Sequence, residues 1–122
     1  MRNLIAAGAI FAALSVLFGA FGAHGLKDRL SFEYLAIFET AVRYQMYHSL
    51  GLMFMGSSGF HLPKNLIYIP SYFLIFGIVI FSGTLITLVL TDLKWLGAIT
   101  PIGGLSLIIG WLLFAYNIYF RS

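Results

Sequence analysis

The chain has 122 residues, of which 61% are hydrophobic and only 9% charged, with seven Lys and Arg against four Asp and Glu and no cysteine. A soluble domain is about 45–50% apolar and about a quarter charged, so this composition argues against a soluble catalytic domain. Without cysteine there are no disulfides, thiolate metal sites or cysteine nucleophiles, and a formal charge of +3 spread without a basic run suits anionic lipid headgroups rather than nucleic acid.

A hydrocarbon core of about 30 Å takes a helix of about 20 residues, and the apolar segments have that length. The expected architecture is all-α: one polytopic membrane domain with four transmembrane helices over about 4–23, 41–59, 71–90 and 96–120. An interfacial amphipathic segment over about 31–40 is expected before the second crossing. The first run, Leu4 to Ala23, follows a short basic start as a signal peptide does. It is longer than a signal core of about 7–15 residues, so it reads as a retained span.

The second segment, Ser31 to Gly59, gathers its polar groups in its first half. Ser31 suits an N-cap and Glu33 suits the first turn, where the helix dipole favours an anion. Phe32, Leu35, Phe38 and Val42 recur at helical spacing. Because Glu33, Glu39 and Arg43 prefer headgroups to hydrocarbon, the chain is expected to lie along the interface and break before crossing; one long tilted helix is the alternative. Pro63 and Pro70 end that crossing, and the third span is almost uniformly apolar from Ser71 to Leu90. After a turn at Thr91–Lys94, the fourth span is interrupted by Pro101 and the Gly103–Gly104 pair, where a kink or local break is expected. The third and fourth segments are apolar on every face, unlike helices of a soluble bundle, and the alternation of a β-barrel is absent. Arg2, Lys64 and Arg121 at one end nearly balance Lys27, Arg29, Lys94 and Arg43 at the other, which leaves orientation open.

Polar residues inside such spans are the candidates for function. Gly19, Gly22 and Gly25 bring a backbone close to a neighbouring helix, with Gly25 ending the first helix, His24 leaving the bilayer, and Lys27 and Arg29 anchored in headgroups. Glu39 and Arg43 can pair four residues apart, and so can Tyr44 and His48. With Gln45 and Tyr47 these residues and His24 form the candidate polar or ligand-binding site. His24 and His48 are expected near the same polar membrane edge. His24, His48 and His61 lack metal-ligand spacing, so no metal is expected, and no nucleotide-binding glycine motif occurs. Ser82, Thr84, Thr87 and Ser106 are expected to hydrogen-bond within or between helices. Gly8 with Ala12, Gly83 with Thr87 and Ser106 with Gly110 offer small-residue packing pairs.

Four stretches in this order, GAFGAHGL at Gly19–Leu26, TAVRYQMYHSLGL at Thr40–Leu52, FSGTL at Phe81–Leu85 and AITPIGGLSLIIGW at Ala98–Trp111, resemble domain-of-unknown-function family 423. These are small bacterial membrane proteins, to which the eukaryotic transmembrane protein 256 group is similar. The resemblance covers nearly the whole chain and implies four membrane helices in a plasma membrane. It implies no activity, substrate or cofactor, and so transfers no catalytic residue. The motif positions are His24, Gly25, Arg43, Tyr44, Gln45, Tyr47, His48, Ser82, Gly83, Pro101, Gly103 and Gly104, with Thr84 standing where Ser is expected to be common.

The expected function is that of a noncatalytic multi-pass membrane protein, without cofactor or nucleic-acid partner. It packs with itself or a larger membrane complex and binds lipid or quinone at the polar end of its second helix. The alternative is a small oligomeric transporter or proton-coupled exporter, against which the first span offers no embedded carboxylate. A membrane enzyme would require His24, Glu39, Arg43 and His48 to converge.

Overall fold

The computed structural model describes all residues, Met1–Ser122. It is all-helical: α1 spans Arg2–Phe21, α2 Phe32–Ser58, α3 Asn65–Thr91 and α4 Thr100–Tyr116. A π-helical turn, Gly22–Leu26, extends α1, another, Asn117–Arg121, extends α4, and a 3-10 turn, Lys94–Ala98, precedes α4. Three of these units are long and apolar enough to cross a membrane: Arg2–Leu26, Asn65–Thr91 and Lys94–Arg121.

Local chemistry accounts for the helix ends. Ser31 is in extended conformation and its side chain accepts from the Tyr34 amide at 3.1 Å, which satisfies one of the amides left unpaired at a helix start. α3 stops at Asp92, the only non-glycine residue with positive φ, at 58°. Asp tolerates this left-handed conformation better than most residues. The Asp92 carboxylate also accepts from the Tyr34 hydroxyl, tying the end of α3 to the exposed first turn of α2. That bond, with desolvation and the negative charge of Asp92 behind it, raises the phenol pKa above its usual 10.0.

Several expectations are corrected. α2 runs without interruption from Phe32 to Ser58, so no break sets an interfacial segment apart from the rest; with no proline or glycine before Gly51, nothing interrupts the helix at residue 40. Gly25 does not terminate the first helix: no glycine has positive φ, and the chain stays helical through Leu26. Pro70 does not precede the third helix but lies fully buried inside it. Pro101 stands in the first turn of α4, where its missing N–H costs no helical bond; the break expected nearby is the 3-10 turn before it.

Each helix packs mainly on its neighbour in chain order. Gly8 lies against Ser49 and Met53, and Gly56 against Leu4 and Ile5, so α1 and α2 run antiparallel. Gly103 sits on the backbone of Ile80 and Phe81 while Gly110 meets Pro70 and Leu74, so α3 and α4 do the same. Met1 lies against Gly59 and Asn117 bonds to Leu66, which puts both chain ends at one end of the bundle.

Two apolar clusters form the core. Leu4, Leu52, Met55, Ile67, Leu74, Ile78 and Leu107 fill the end that holds the termini. Leu26, Phe38, Leu88, Val89 and Leu96 fill the other. Along α2, the buried residues between Phe38 and Leu52 are Ala41, Gln45, His48, Ser49 and Gly51, small or polar rather than bulky. The middle of the molecule is therefore joined by hydrogen bonds and close backbone approach. Ser82 Oγ donates to Ala41 O at 2.8 Å, Ser106 Oγ to Phe73 O at 2.7 Å and Gln45 Nε2 to Phe11 O at 2.9 Å.

Pro70 and Asn117 form a matched pair. Proline has no N–H, so the carbonyl four residues back, Leu66 O, loses its helical donor. Asn117 Nδ2 donates to that carbonyl at 3.0 Å, and Leu66, Pro70 and Asn117 are all buried. The side chain replaces the missing backbone bond and fastens the end of α4 to the start of α3.

Candidate functional site

The residues grouped by sequence fall into separate places, because a helix turns about 100° per residue and successive side chains face different neighbours. Glu39 and Arg43 lie on one open face of α2, with Nη2 and Oε2 3.2 Å apart and the two side chains 66% and 63% exposed. Gln45 faces α1. Tyr44 and His48 face α3 and α4, with Tyr47 beside Tyr44, their ring centroids 6.0 Å apart. His24 stands exposed in the turn after α1.

The expected proximity of His24 and His48 is not found. Gln45 meets α1 at Phe11, and His24 lies thirteen residues beyond Phe11, about 20 Å further along a helix rising 1.5 Å per residue. An unbroken α2 carries His48 away from the edge where His24 sits.

The first arrangement of interest is a groove between the end of α1 and the first half of α2, with a volume of about 570 Å³. Its floor exists because Gly22 has no side chain: a Cβ there would lie 2.5 Å from the Phe38 ring. Gly19 meets Val42 at ordinary contact distance, 3.6 Å. Around this apolar floor stand Lys27, Arg43 and Glu39, two cations and one anion. In the sequence Lys27 reads only as a headgroup anchor; the groove places it with the Glu39–Arg43 pair.

The second is an aromatic cluster where α2, α3 and α4 meet. Tyr44 stacks on Phe81, centroids 5.0 Å apart; His48 lies 6.1 Å from Tyr44 and 5.9 Å from Trp111. Trp111 reaches α2 because Gly51 leaves room for its indole. His48 is 8% exposed and its Nδ1 is 2.6 Å from Tyr44 O. Phe81 and Trp111 each belong to a motif stretch but carry no polar periodicity that would single them out.

The packing glycines also divide. Gly103 and Gly110 are close contacts, and Ser82 donates between helices as expected. Gly104 meets the Phe81 ring only at 3.6 Å, Gly25 lies against Phe21 of its own helix, and Gly83 has nothing within 4 Å and packs on no neighbour. Thr84 shares a 2.6 Å bond with Thr100, linking α3 to the start of α4.

Comparison with known proteins places the chain among membrane proteins. A family model described as "Protein of unknown function (DUF423)" matches residues 18–104. The "UPF0382 membrane protein" of Staphylococcus epidermidis is 51% identical over 112 residues, 92% of this chain and 91% of that one. The "UPF0382 membrane protein YwdK" of Bacillus subtilis is 42% identical over 114 residues, 93% of each. No solved structure matches. The matched region contains the groove and most of the aromatic cluster, and with both the family model and the relatives in agreement, the chain belongs to the DUF423 family of membrane proteins.

Proposed function

We propose that the protein is a noncatalytic plasma-membrane protein of four crossing helices whose α1–α2 groove holds an anionic lipid headgroup. The observation that supports this is the groove itself: Lys27 and Arg43 beside an apolar floor, at the end of a helix apolar enough to span. An amphipathic anion fits such a site, its phosphate near the cations and its glycerol and upper chains on Gly19, Gly22 and Phe38. Near a membrane surface each Lys or Arg is worth about 1 kcal/mol toward an anionic lipid.

The reading treats α2 as the fourth crossing helix. Its Gln45, Ser49 and His48 side chains reach carbonyls of α1 or of α2 itself, which offsets most of the cost of placing polar groups in hydrocarbon. Helices on either side of it, α1 and α3, are each long and apolar enough to span. Both termini then face one side of the membrane. The outer faces of α1 and α4, with Ile10, Leu17, Ile108 and Leu112 exposed, remain for lipid, a second copy or a larger complex.

The test is lipid retention. Protein in nanodiscs of mixed phosphatidylglycerol and phosphatidylcholine is released into native mass spectrometry and its bound lipids are counted. Preferential retention of phosphatidylglycerol, reduced about fivefold by Lys27→Gln, is the expected result. Equal retention of both lipids, unchanged by that substitution, would refute the reading.

A further inference from the structure

The His48 ring has one nitrogen accounted for. Nδ1 lies 2.6 Å from Tyr44 O, and a carbonyl only accepts, so Nδ1 bears the proton. In a neutral imidazole the other nitrogen, Nε2, is then an acceptor. In hydrocarbon an unpaired imidazolium is disfavoured. No group of the chain donates to Nε2, while every fully enclosed side-chain nitrogen and oxygen has a partner. Nε2 therefore opens through the small exposed part of the ring.

Depth makes this opening informative. His48 lies ten residues before the end of α2 at Ser58, about 15 Å along the helix axis, and beside Gly51, which meets Leu74 within α3. If α2 crosses the membrane, as proposed above, Nε2 faces hydrocarbon. Acyl chains have no donor to offer, and glycerol esters only accept. An acceptor without a partner in that medium is costly, and a lipophilic molecule carrying an O–H relieves the cost.

The surroundings select its shape. Tyr44 and Trp111 flank His48 with ring centroids about 6 Å away, and Phe81 backs Tyr44. The exposed faces of Tyr44 and Trp111 favour another ring in offset or edge contact. Tyr44 and Trp111 are partly exposed, at 42% and 37%, so the cluster is open to the lipid side. The Tyr44 hydroxyl and Trp111 indole N–H make no bond within the chain and are free for a second polar atom of a ligand.

We infer that His48 Nε2, with Tyr44 and Trp111, forms a binding site for the hydroxyl-bearing aromatic ring of a membrane-soluble phenol or hydroquinone. It is separate from the α1–α2 groove, and rests on the crossing of α2 but not on lipid binding at Lys27. The site prefers a ring that donates: a hydroquinone over the corresponding quinone, a phenol over its methyl ether.

The experiment uses the full chain with His24 and His61, both exposed, changed to Gln, so that His48 is the sole histidine. The protein is labelled with 15N-histidine and placed in phosphatidylcholine nanodiscs, which supply no lipid O–H. 1-Naphthol is titrated against 1-methoxynaphthalene at equal bilayer fraction. Naphthol should shift the Nε2 resonance saturably, with half-saturation at a concentration about fivefold lower than any response to the ether, the factor one net hydrogen bond provides. Equal responses, or none, would overturn the proposal. A shift produced by phosphatidylglycerol alone as large as that by naphthol would also overturn it, by assigning the donor to a headgroup. In parallel, Trp95→Phe leaves Trp111 as the only tryptophan, and quenching by lipids brominated at known depths locates it. A deep Trp111 with no discrimination between the ring ligands rejects this site alone. A Trp111 at the headgroup level rejects the crossing of α2 and the site with it.

Discussion

Replacing Asn117 by Leu should cost more than loss of one ordinary interhelical hydrogen bond, and the excess should vanish when Pro70 is replaced by alanine. Leu has the same number and branching of side-chain heavy atoms as Asn and leaves no cavity, so the perturbation is chiefly the lost donor. An average side-chain hydrogen bond between membrane helices is worth about 0.6 kcal/mol. Asn117 does more, because Pro70 took away the i+4 helical donor of Leu66 O, and the site is buried. A buried carbonyl left without a partner costs about 1–3 kcal/mol. Asn117→Leu alone is therefore expected to destabilise by about 1–3 kcal/mol. In the Pro70→Ala background the substituted alanine supplies a backbone N–H that can reach Leu66 O, and the same change at Asn117 should fall to about 0.6 kcal/mol. The cycle is measured by equilibrium unfolding in mixed micelles titrated with denaturing detergent, with helicity as the signal. Additivity of the two substitutions would show that Asn117 does not substitute for the missing amide.

Other outcomes follow from neighbouring features. Gly103→Ala places a methyl group onto the Phe81 backbone, with Ile80 C at 3.0 Å, and should cost about 1–3 kcal/mol in the same unfolding assay; Gly104→Ala, next door in sequence, meets only a movable ring at 3.6 Å and should be near neutral. In native mass spectrometry Glu39→Gln should raise phosphatidylglycerol retention, since it removes the one anion at the groove, while Arg43→Gln should lower it by about fivefold. Asp92→Ala should lower the melting temperature more than Asp92→Gly, because both lose the Tyr34 tether but only alanine is strained at φ 58°. With the phenol pKa raised above 10.0, the Tyr34 tether is intact at neutral pH and is lost only as pH rises past that value, so the Tyr34→Phe difference in melting temperature should shrink only in strong alkali.

The helices themselves are legible in the sequence because long apolar runs have few other solutions, and Ser31 is legible as a cap because its role is local. Ser82 and Ser106 are legible as hydrogen-bonding residues, since a hydroxyl in an apolar helix must find an acceptor, though their partners Ala41 and Phe73 are not. What stays hidden depends on a second helix. Gly103 and Gly104 are the same residue type one position apart, and only the place where Phe81 crosses distinguishes them. Gly83 has a small-residue pattern with Thr87 but faces outward. Pro70 reads as the end of a helix because a missing amide is usually fatal within one; Asn117, 47 residues later, supplies the donor.

The same dependence explains why the candidate site divides. Charge points to an interfacial start for α2, on the premise that Glu39 and Arg43 must stay near headgroups and that this requires a bend. The unbroken helix meets the charge differently: it pairs the two side chains on an open face and turns Gln45 and His48 inward, so polarity on one helix serves two unlike surroundings. Within α2 a separation of four or five residues decides which of these surroundings a side chain meets. Arg43 faces the groove, and His48, five residues on, is turned about 140° from it, against the indole of Trp111. A lipid at Lys27 and a ring at His48 are thus approached from different sides of α2, and changes at Lys27 and His48 should leave each other's ligand unaffected. Coupling between the two sites, seen as naphthol binding that weakens with Lys27→Gln, would require α2 to move as a unit and would place both ligands on one conformational equilibrium.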